Sequence, residues 1–438
     1  MSKGIFSCTL LGLALWGSQS SYAQVTDVRY EGDATTSTDS VNPVIEWNRS
    51  LLEIVRTPGA QPATIHSTRS FAMLHAAIFD AVNAIDKTYK PYAVHLPHIS
   101  RAASAKAAAD QAAHDVLVSL YPSFATKLDS ELEQDLGLIE DGRHKKQGIE
   151  VGERVAAEIL ALRSDDGSTV TLPPFVPSTQ PGNYQLTPPN FAPADFIQWS
   201  HVAPFAIDSP SDFLPAPPPE LNSDRYTRSF HEVKGLGNIT SATRTADQTQ
   251  IGKFWNGNIQ DFWNEIAQSA ALQRHLNLAQ SARLFALLNI SIADTAIAFF
   301  EAKYIYDIWR PVTAIQLAAI DGNPLTDPDP AWIPLSTKTA ADPSYPGAHS
   351  AISAAASAVL RFYLGDRIRL AVTSESLAGV TRHFSSFSEA AEEAGLSRIY
   401  AGQHFRFDHL AGLRLGRNVA DSVVGSILKR RAESDRDR

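Results

Sequence analysis

The sequence predicts an all-α protein, a helical bundle, because apolar residues recur at helical spacing along most of the chain while convincing strand alternation is scarce. Apolar side chains at intervals of three and four residues are typical of helices that bury one face. No internal repeat of fixed period is present. With 438 residues, the chain is long enough to bury a core without disulfide bonds or a structural metal.

The predicted helices are defined by this periodicity. Their ranges are Val44 to Arg56, Thr64 to Ile85, Ala102 to Leu120, Lys146 to Arg163, Ala242 to Trp255, Asp261 to Ser269, Gln273 to Trp309 with at most a brief interruption, His349 to Leu364, Ser386 to Ala394 and Phe405 to Leu428. The segment from Ser67 to Ile85 is apolar on most of its circumference, which predicts a central core helix. His75 in that helix is expected to be a buried structural group.

A proline-rich excursion separates two helical halves. Of the 26 prolines, 13 fall between Pro173 and Pro219, and that density excludes regular helix. Aromatic residues spread through the excursion are expected to pin it to the body: Phe175, Tyr184, Phe191, Phe196, Trp199 and Phe205. We predict one domain over residues 24–438, with an N-terminal helical half at about 40–165, the excursion at about 170–220 and a catalytic half at about 240–428.

The N-terminus has the pattern of a secretory signal over residues 1–23. Lys3 precedes an apolar run from Ile5 to Gly17, and Ser21-Tyr22-Ala23 offers small residues before a cleavage point. The run is too short to span a bilayer comfortably. We predict cleavage after Ala23 and a periplasmic or secreted mature protein. The only cysteine, Cys8, lies in this segment, so no disulfide or thiolate metal site is expected after cleavage.

Composition argues against several classes of partner. The formal net charge is -9, and no basic run lies outside the candidate site described below, which argues against nucleic acid or an anionic membrane surface. No stretch of 18 apolar residues follows the signal, which argues against an integral membrane enzyme. The sequence is compatible with a homodimer.

Three stretches in the last third of the chain supply one candidate anion site. They are Lys303-x6-Arg310-Pro311, then Pro346-Gly347-Ala348-His349, then Ser397-Arg398-x5-His404-x3-Asp408. Together they contain three cations, two histidines and a carboxylate. A protein gains little from clustering so much positive charge unless a multiply charged oxyanion lies among it.

In the first stretch, Lys303 and Arg310 are seven residues apart, close to two helical turns, so one helix is predicted to project both from nearly the same face. Pro311 disfavours helical geometry at the preceding residue and places Arg310 at the helix end. The alternative is a pair of solvated surface cations. Apolar and aromatic neighbours in the sequence argue against it.

In the second stretch, backbone N–H groups at the start of a helix point at whatever lies in front of them, which favours an anion. His349 stands at that start, where it could exchange a proton with an oxyanion oxygen. A capping histidine without chemistry is the alternative.

In the third stretch, Gly402 suggests a turn after Arg398, with His404 opening the helix that follows. Asp408 is four residues beyond His404, so its carboxylate can accept a hydrogen bond from the imidazole and fix its tautomer. An oriented neutral imidazole can act as a nucleophile or as a metal ligand. An ordinary surface pair is the alternative. His383 and His409 lie close in sequence and are weaker candidates for the pocket lining.

In order and spacing, the three stretches resemble one superfamily: the vanadium-dependent haloperoxidases, the type 2 phosphatidic acid phosphatases and the class A bacterial acid phosphatases. Its pattern is Lys-x6-Arg-Pro, then Pro-Ser-Gly-His, then Ser-Arg-x5-His-x3-Asp. The first and third stretches match it without exception. The segments TRSFAMLHAAIFDAVNAID and SFSEAAEEAGLSRIYAGQHFRFD resemble the exported bacterial haloperoxidase-like branch.

The resemblance implies that Lys303, Arg310 and Arg398 bind the equatorial oxygens of vanadate or of a phosphoryl group. It implies that His404 is the axial ligand to vanadium, or the nucleophile that forms a phosphohistidine, and that His349 is the acid–base group. The leading function is oxidation of halide by hydrogen peroxide to hypohalous acid, with vanadate as cofactor. Hydrolysis of a small phosphate ester and non-catalytic oxyanion binding are the alternatives.

The second stretch departs from the family pattern, because Gly347 stands where the family has serine and Ala348 where it has glycine. The serine hydroxyl normally donates to an equatorial oxygen, so one donor is missing. A charge-assisted hydrogen bond is worth roughly 1.5–3 kcal/mol, so vanadate affinity is expected to be about tenfold lower or more. The backbone N–H of Ala348 remains a donor if the loop adopts a conformation open to alanine. We expect an altered site, with the choice between oxidation and hydrolysis open at these residues.

Overall fold

The structure, a computed structural model, describes residues 42–61 and 65–432. The predicted signal segment, with Cys8 and Ala23, lies outside the described residues. The described part is mainly helical, which confirms the all-α prediction. Its α-helices are α1 Pro43–Arg56, α2 His66–Asp86, α3 Ala105–Leu120, α4 Ala125–Gly137, α5 Arg143–Leu162, α6 Asp224–Leu236, α7 Ala246–Phe254, α8 Ile259–Gln273, α9 Leu278–Tyr306, α10 Pro311–Gln316, α11 Ala348–Leu364, α12 Phe387–Tyr400 and α13 Arg406–Ser426.

One antiparallel hairpin accompanies the helices. Its strands are β1 Arg367–Thr373 and β2 Thr381–Ser386, with Leu370 opposite Phe384. The residues of β1 alternate between exposed and buried, and neither strand was among the elements predicted from the sequence. The hairpin joins α11 to α12, and both of these helices contribute to the candidate site.

The predicted helix from Gln273 to Trp309 corresponds to α9, which is shorter than predicted at both ends, while α8 extends beyond the predicted Ser269. α8 ends at Gln273, and α9 begins after Asn277, whose side chain accepts from the backbone N–H of Gln280 while Gln280 caps Asn277 in return. This capping box satisfies N–H groups that a continuous helix would have bonded internally. Helix α4 was missed because Leu128 is its only buried residue, so it shows no apolar face.

The core is centred on α2 and α9, which pack against each other. α9 is buried along most of its 29 residues. Among the described helices it alone is long and apolar enough to cross a membrane, but 94% of that apolar window is buried inside the protein. This burial is typical of a core helix. His75 on α2 is fully buried, with Nε2 2.9 Å from Asn48 Oδ1, which confirms its predicted structural role.

Two buried carboxylates tie irregular segments to these core helices. Asp80 of α2 accepts from the backbone N–H groups of residues 92–94, and Asp294 of α9 accepts from those of residues 205–207. The hydrogen bonds to Asp294 hold residues 205–207 of the proline-rich excursion against α9. Most of its aromatic residues pack inward as expected, but Phe191 is 57% exposed, so its predicted anchoring role is wrong.

Asp110 on α3 is a buried carboxylate without a cation. Its Oδ1 accepts from Trp47 Nε1 at 3.1 Å, while Oδ2 has no hydrogen-bond partner in the described part of the chain. Burial raises the pKa of Asp110 to about 7. Because this folded-state pKa lies above the ordinary value, the folded state binds more protons than the unfolded state at mildly acidic pH, and stability falls as pH rises through 7.

We therefore expect Asp110→Asn to unfold at higher denaturant concentration than the parent at pH 8. The amide keeps an acceptor for Trp47 and removes the buried charge, so the gain should be at most about 4 kcal/mol at pH 8, less than half of that at pH 5, and absent below about pH 4. Chemical denaturation at both pH values measures it, with the exposed Asp208→Asn as control. A difference that does not change with pH would contradict the assignment.

Candidate active site

The predicted cations and histidines surround one cavity of about 290 Å³. Its lining includes Lys303, Arg310, Ala348, His349, Arg398 and His404. The first residues of α8 and the loop before it, residues 256–260, complete one side, and Phe299, Phe300 and Ile352 form an apolar wall. Gly347 and Asp408 lie behind the lining residues and do not themselves face the cavity.

Lys303 and Arg310 reach the cavity from different elements, so the predicted shared helix face is wrong. α9 ends at Tyr306, and Asp307 adopts the left-handed conformation with φ 49°. Arg310 is the N-cap of α10, with Pro311 in the first turn. Proline is favoured there because its missing N–H would have no helical partner. The proline thus marks the start of a new helix instead of the end of α9.

An unpredicted carboxylate, Asp342, brings these two cations together. Its Oδ1 lies 2.7 Å from Lys303 Nζ and 2.7 Å from Arg310 Nη2. Burial alone would raise the pKa of Asp342, but Lys303 and Arg310 lower it overall. Burial lowers the pKa of Lys303 to about 8, with Arg310 acting in the same direction and Asp342 opposing both. The sequence offered no signal for Asp342, an isolated acid in an irregular loop.

The predicted contact between His404 and Asp408 is present, with His404 Nδ1 3.0 Å from Asp408 Oδ2. His404 precedes α13, so the pair is not formed along one helix. Asp408 is held by the backbone N–H of Phe405 at 2.9 Å and by the hydroxyl of Ser344 at 2.5 Å. Ser344 was not predicted as a site residue. Burial raises the pKa of Asp408 to about 6, so the carboxylate is ionised above that pH.

This contact fixes the tautomer of His404. Because the carboxylate accepts, Nδ1 carries the proton and Nε2 carries the lone pair. Nε2 faces the cavity, where Arg310 Nη1 lies 3.2 Å away. Burial, followed by the charges of Arg310 and Lys303, lowers the pKa of His404 well below its usual range. The ring is therefore a neutral imidazole, which is the form that a metal ligand or nucleophile requires.

Arg398 differs from the other two cations because no carboxylate in the described part of the chain pairs with it. Its Nη1 donates to Asn256 Oδ1 at 3.0 Å, and its Nε is buried without a hydrogen-bond partner. Burial, then the charge of Arg310, lowers its pKa to about 10, so it remains a cation at neutral pH. A buried donor without a partner is expected where an additional acceptor binds.

His349 lies in the first turn of α11, with Nε2 3.0 Å from the carbonyl oxygen of Trp255. A carbonyl only accepts, so Nε2 carries the proton and Nδ1 is the proton-accepting atom. Burial, and then Arg398, lowers the pKa of His349 well below its usual range. The geometry gives a neutral ring at the cavity, and the acid–base role of His349 stays a prediction.

Gly347 and Ala348 adopt conformations open to any residue. Gly347 is the N-cap of α11 with φ −74° and ψ 116°, and Ala348 is the first helical residue. Alanine can therefore adopt the backbone conformation that residue 348 requires, and its N–H remains a possible donor. The N–H of Gly347 donates to the carbonyl of Asp408 at 3.0 Å, and a Cβ on residue 347 would lie 3.3 Å from that carbonyl oxygen. A side chain here fits tightly against α13.

His383 and His409 do not line the cavity. His383 is exposed on β2. His409 is fully buried, with Nδ1 2.9 Å from Ser350 Oγ and Nε2 3.2 Å from Glu392 Oε1. Gly395 permits this approach, since a Cβ there would come within 2.4 Å of His409 Nδ1. These contacts join α11, α12 and α13 behind the cavity.

Comparisons with known proteins find similarity over the part of the chain that holds the site. The family model of the VCPO second helical-bundle domain matches residues 283–432, which contain all three stretches. A vanadium chloroperoxidase from Curvularia inaequalis is 25% identical over 494 aligned residues, covering 85% of this chain and 80% of that protein.

Solved structures resemble the chain over most of its length. A crystal structure described as the first bacterial vanadium-dependent iodoperoxidase has a TM-score of 0.76 and 25% identity, covering 92% of this chain and 100% of that one. A holo-type bacterial vanadium-dependent chloroperoxidase has a TM-score of 0.69 and 16% identity, covering 89% and 98%. The second similarity shows the fold alone.

Proposed function

We propose that this chain, a member of the superfamily of vanadium-dependent haloperoxidases and type 2 phosphatidic acid phosphatases, is a vanadate-dependent haloperoxidase-like enzyme that oxidises halide with hydrogen peroxide. One observation carries the proposal. A half-buried arginine without a carboxylate partner, Arg398, whose Nε is buried and unpaired in the described part of the chain, and a neutral imidazole lone pair, on His404, line the same cavity. A tetrahedral oxyanion with a metal centre can accept hydrogen bonds from the arginine and bind the imidazole lone pair at the metal.

The donor set fits vanadate. His404 Nε2 would be the ligand to vanadium, and Arg398 with the N–H groups at the start of α11 would hold the oxyanion oxygens. When bound, vanadate supplies a Lewis acid that activates hydrogen peroxide without a change of oxidation state. The family resemblance implies that Lys303 and Arg310 also donate hydrogen bonds to the oxyanion oxygens. In the structure, both form ion pairs with Asp342.

The protein groups have separate tasks. Asp408 and Ser344 orient His404 and keep its proton on Nδ1. His349 lines the cavity with a neutral ring whose Nε2 donates to the carbonyl of Trp255, and we assign it the transfer of a proton. The apolar wall of Phe299, Phe300 and Ile352 limits the space open to water, which strengthens the charge interactions inside.

Parallel assays of the purified protein with orthovanadate test the proposal. Peroxide-dependent bromination that requires vanadate is the expected result. Hydrolysis of a phosphate monoester that vanadate inhibits would instead support the phosphatase on the same residues. Tight vanadate or phosphate binding with neither activity would support a non-catalytic binding protein.

Restoring the family serine tests the missing donor. We expect Gly347→Ser to bind vanadate about tenfold more tightly than Gly347→Ala, because only serine adds a hydroxyl donor. The alanine variant is the matched control, since both substitutions place a Cβ 3.3 Å from the carbonyl oxygen of Asp408. Equal dissociation constants for the two variants would show that a hydroxyl at residue 347 does not reach the oxyanion.

We also propose that the mature protein is exported after cleavage following Ala23. The support is the charged, apolar and small-residue pattern of the first 23 residues. Mass spectrometry of the protein secreted by a bacterial expression host, or released from its periplasm, should find Gln24 at the N-terminus. Retention of residues 1–23 on the active protein would contradict the proposal.

A further inference from the structure

The carboxylate of Asp342 uses donors that the sequence pattern assigned to an oxyanion. A lysine ammonium has three N–H donors. Lys303 Nζ contacts Asp342 Oδ1 at 2.7 Å, the carbonyl oxygen of Ser344 at 3.3 Å and that of Pro343. All three donors of Lys303 are therefore engaged by consecutive residues of one loop.

The N–H donors of Arg310 are also nearly all engaged by protein groups. Its Nε donates to the carbonyl oxygen of Asp342 and its Nη2 to the carboxylate, both at 2.7 Å. Its Nη1 contacts the carbonyl oxygen of Gln403 at 3.1 Å and His404 Nε2 at 3.2 Å. A guanidinium has five N–H donors, so these four contacts leave one for a ligand.

We infer that Asp342 is an internal counter-ion that competes with the bound oxyanion for Lys303 and Arg310, and that it disfavours doubly charged oxyanions relative to singly charged ones. The inference rests on the proposed oxyanion site but does not depend on haloperoxidase chemistry. It makes Asp342 a specificity-determining residue. Of the three predicted cations, it leaves Arg398 as the one whose charge no carboxylate in the described part of the chain neutralises.

The selectivity follows from the charges around the cavity. The lining holds the positive side chains of Lys303, Arg310, Arg398 and Lys338, and Asp342 is the only carboxylate among its described residues. Both cations that contact Asp342 are at most 2% exposed, so solvent screens the interaction little. Repulsion from a fixed negative charge is twice as large for a dianion as for a monoanion at the same position. Asp342 therefore weakens dianion binding more.

Sulfate and perchlorate provide the test, because both are tetrahedral oxyanions and they carry two charges and one. Calorimetric titration at constant ionic strength near neutral pH gives the ratio of the two affinities. In Asp342→Asn, which preserves the shape of the side chain, we expect sulfate affinity to rise at least about tenfold and perchlorate affinity to rise less. Asp342→Glu, which restores the charge, should return the ratio toward the parent value.

Asp208→Asn is the control. The Asp208 side chain is exposed in the excursion, outside the cavity lining, and no ion pair involves it in the described ranges. Its affinity ratio should equal that of the parent. If Asp342→Asn is unfolded in plain buffer, sulfate should restore a cooperative unfolding transition. An unchanged or lower ratio, or no rescue by sulfate, would overturn the inference. Absence of bromination in the parent would overturn the proposed function and leave this result intact.

Discussion

His404→Ala is expected to abolish peroxide-dependent bromination and, if the protein is a phosphatase, ester hydrolysis as well. The imidazole of His404 carries a lone pair on Nε2, oriented by Asp408 and adjacent to Arg310, at the cavity. Loss of a group that only orients a metal ligand typically lowers affinity or activity about 10- to 100-fold. Loss of the ligand itself should exceed that range.

The histidine at position 383 provides the control for this variant. His383→Ala removes an exposed imidazole from β2, outside the cavity, and should leave bromination and vanadate binding unchanged. Thermal unfolding of both variants checks that the fold is retained. Full activity in a folded His404→Ala protein would refute the assignment of the site.

Arg398→Ala is expected to weaken vanadate binding about a hundredfold or more. Each charge-assisted hydrogen bond is worth roughly 1.5–3 kcal/mol, and a guanidinium can form two with one oxyanion. Arg398 is also the cavity arginine whose charge is not neutralised by a carboxylate, so its full charge acts on the ligand. Isothermal titration of vanadate into the purified variant measures the change.

Arg398→Lys separates charge from geometry. A lysine keeps the positive charge but cannot form the planar, paired contact, so its vanadate affinity should lie between those of the parent and Arg398→Ala. Arg382→Lys, at a partly exposed ion pair with Glu393 outside the cavity, is the matched control. Parental affinity in a folded Arg398→Ala protein would contradict the predicted oxyanion contact.

The sequence predicted the residues that line the site because their spacing reflects the chemistry of one oxyanion. Lys303, Arg310, Arg398, His349 and His404 reach one cavity as the three stretches suggested. The contact between His404 and Asp408 could also be predicted, since four residues separate them. The roles that the family resemblance implies for these residues stay predictions until variants are measured.

Other parts of the site could not be predicted, because they depend on contacts distant in sequence. Asp342 lies 32 residues from Arg310 in an irregular loop, where no periodic pattern indicates which way a side chain points. Ser344 is 64 residues from the Asp408 carboxylate to which it donates. Neither residue type is unusual in a loop. Only the fold shows that both support the cavity.

Helix ends were predictable where one residue type dominates the local geometry. Pro311 correctly marked a boundary near Arg310, but the left-handed turn at Asp307 ended α9 earlier. Asparagine and aspartate adopt that conformation more readily than most residues, yet few of them do so in any given chain. The two cations therefore come from two helices, and Asp342 joins them.

A vanadate titration followed by peroxide-dependent bromination tests the central claim most directly. Protein freed of vanadate and phosphate is mixed with increasing orthovanadate, and the initial rate of bromination of a phenolic dye is recorded at each addition. The account predicts no bromination without vanadate, a rate that rises with vanadate and then saturates, and no such rise for His404→Ala. A bromination rate independent of vanadate, or an equal rise in the His404→Ala protein, would contradict it.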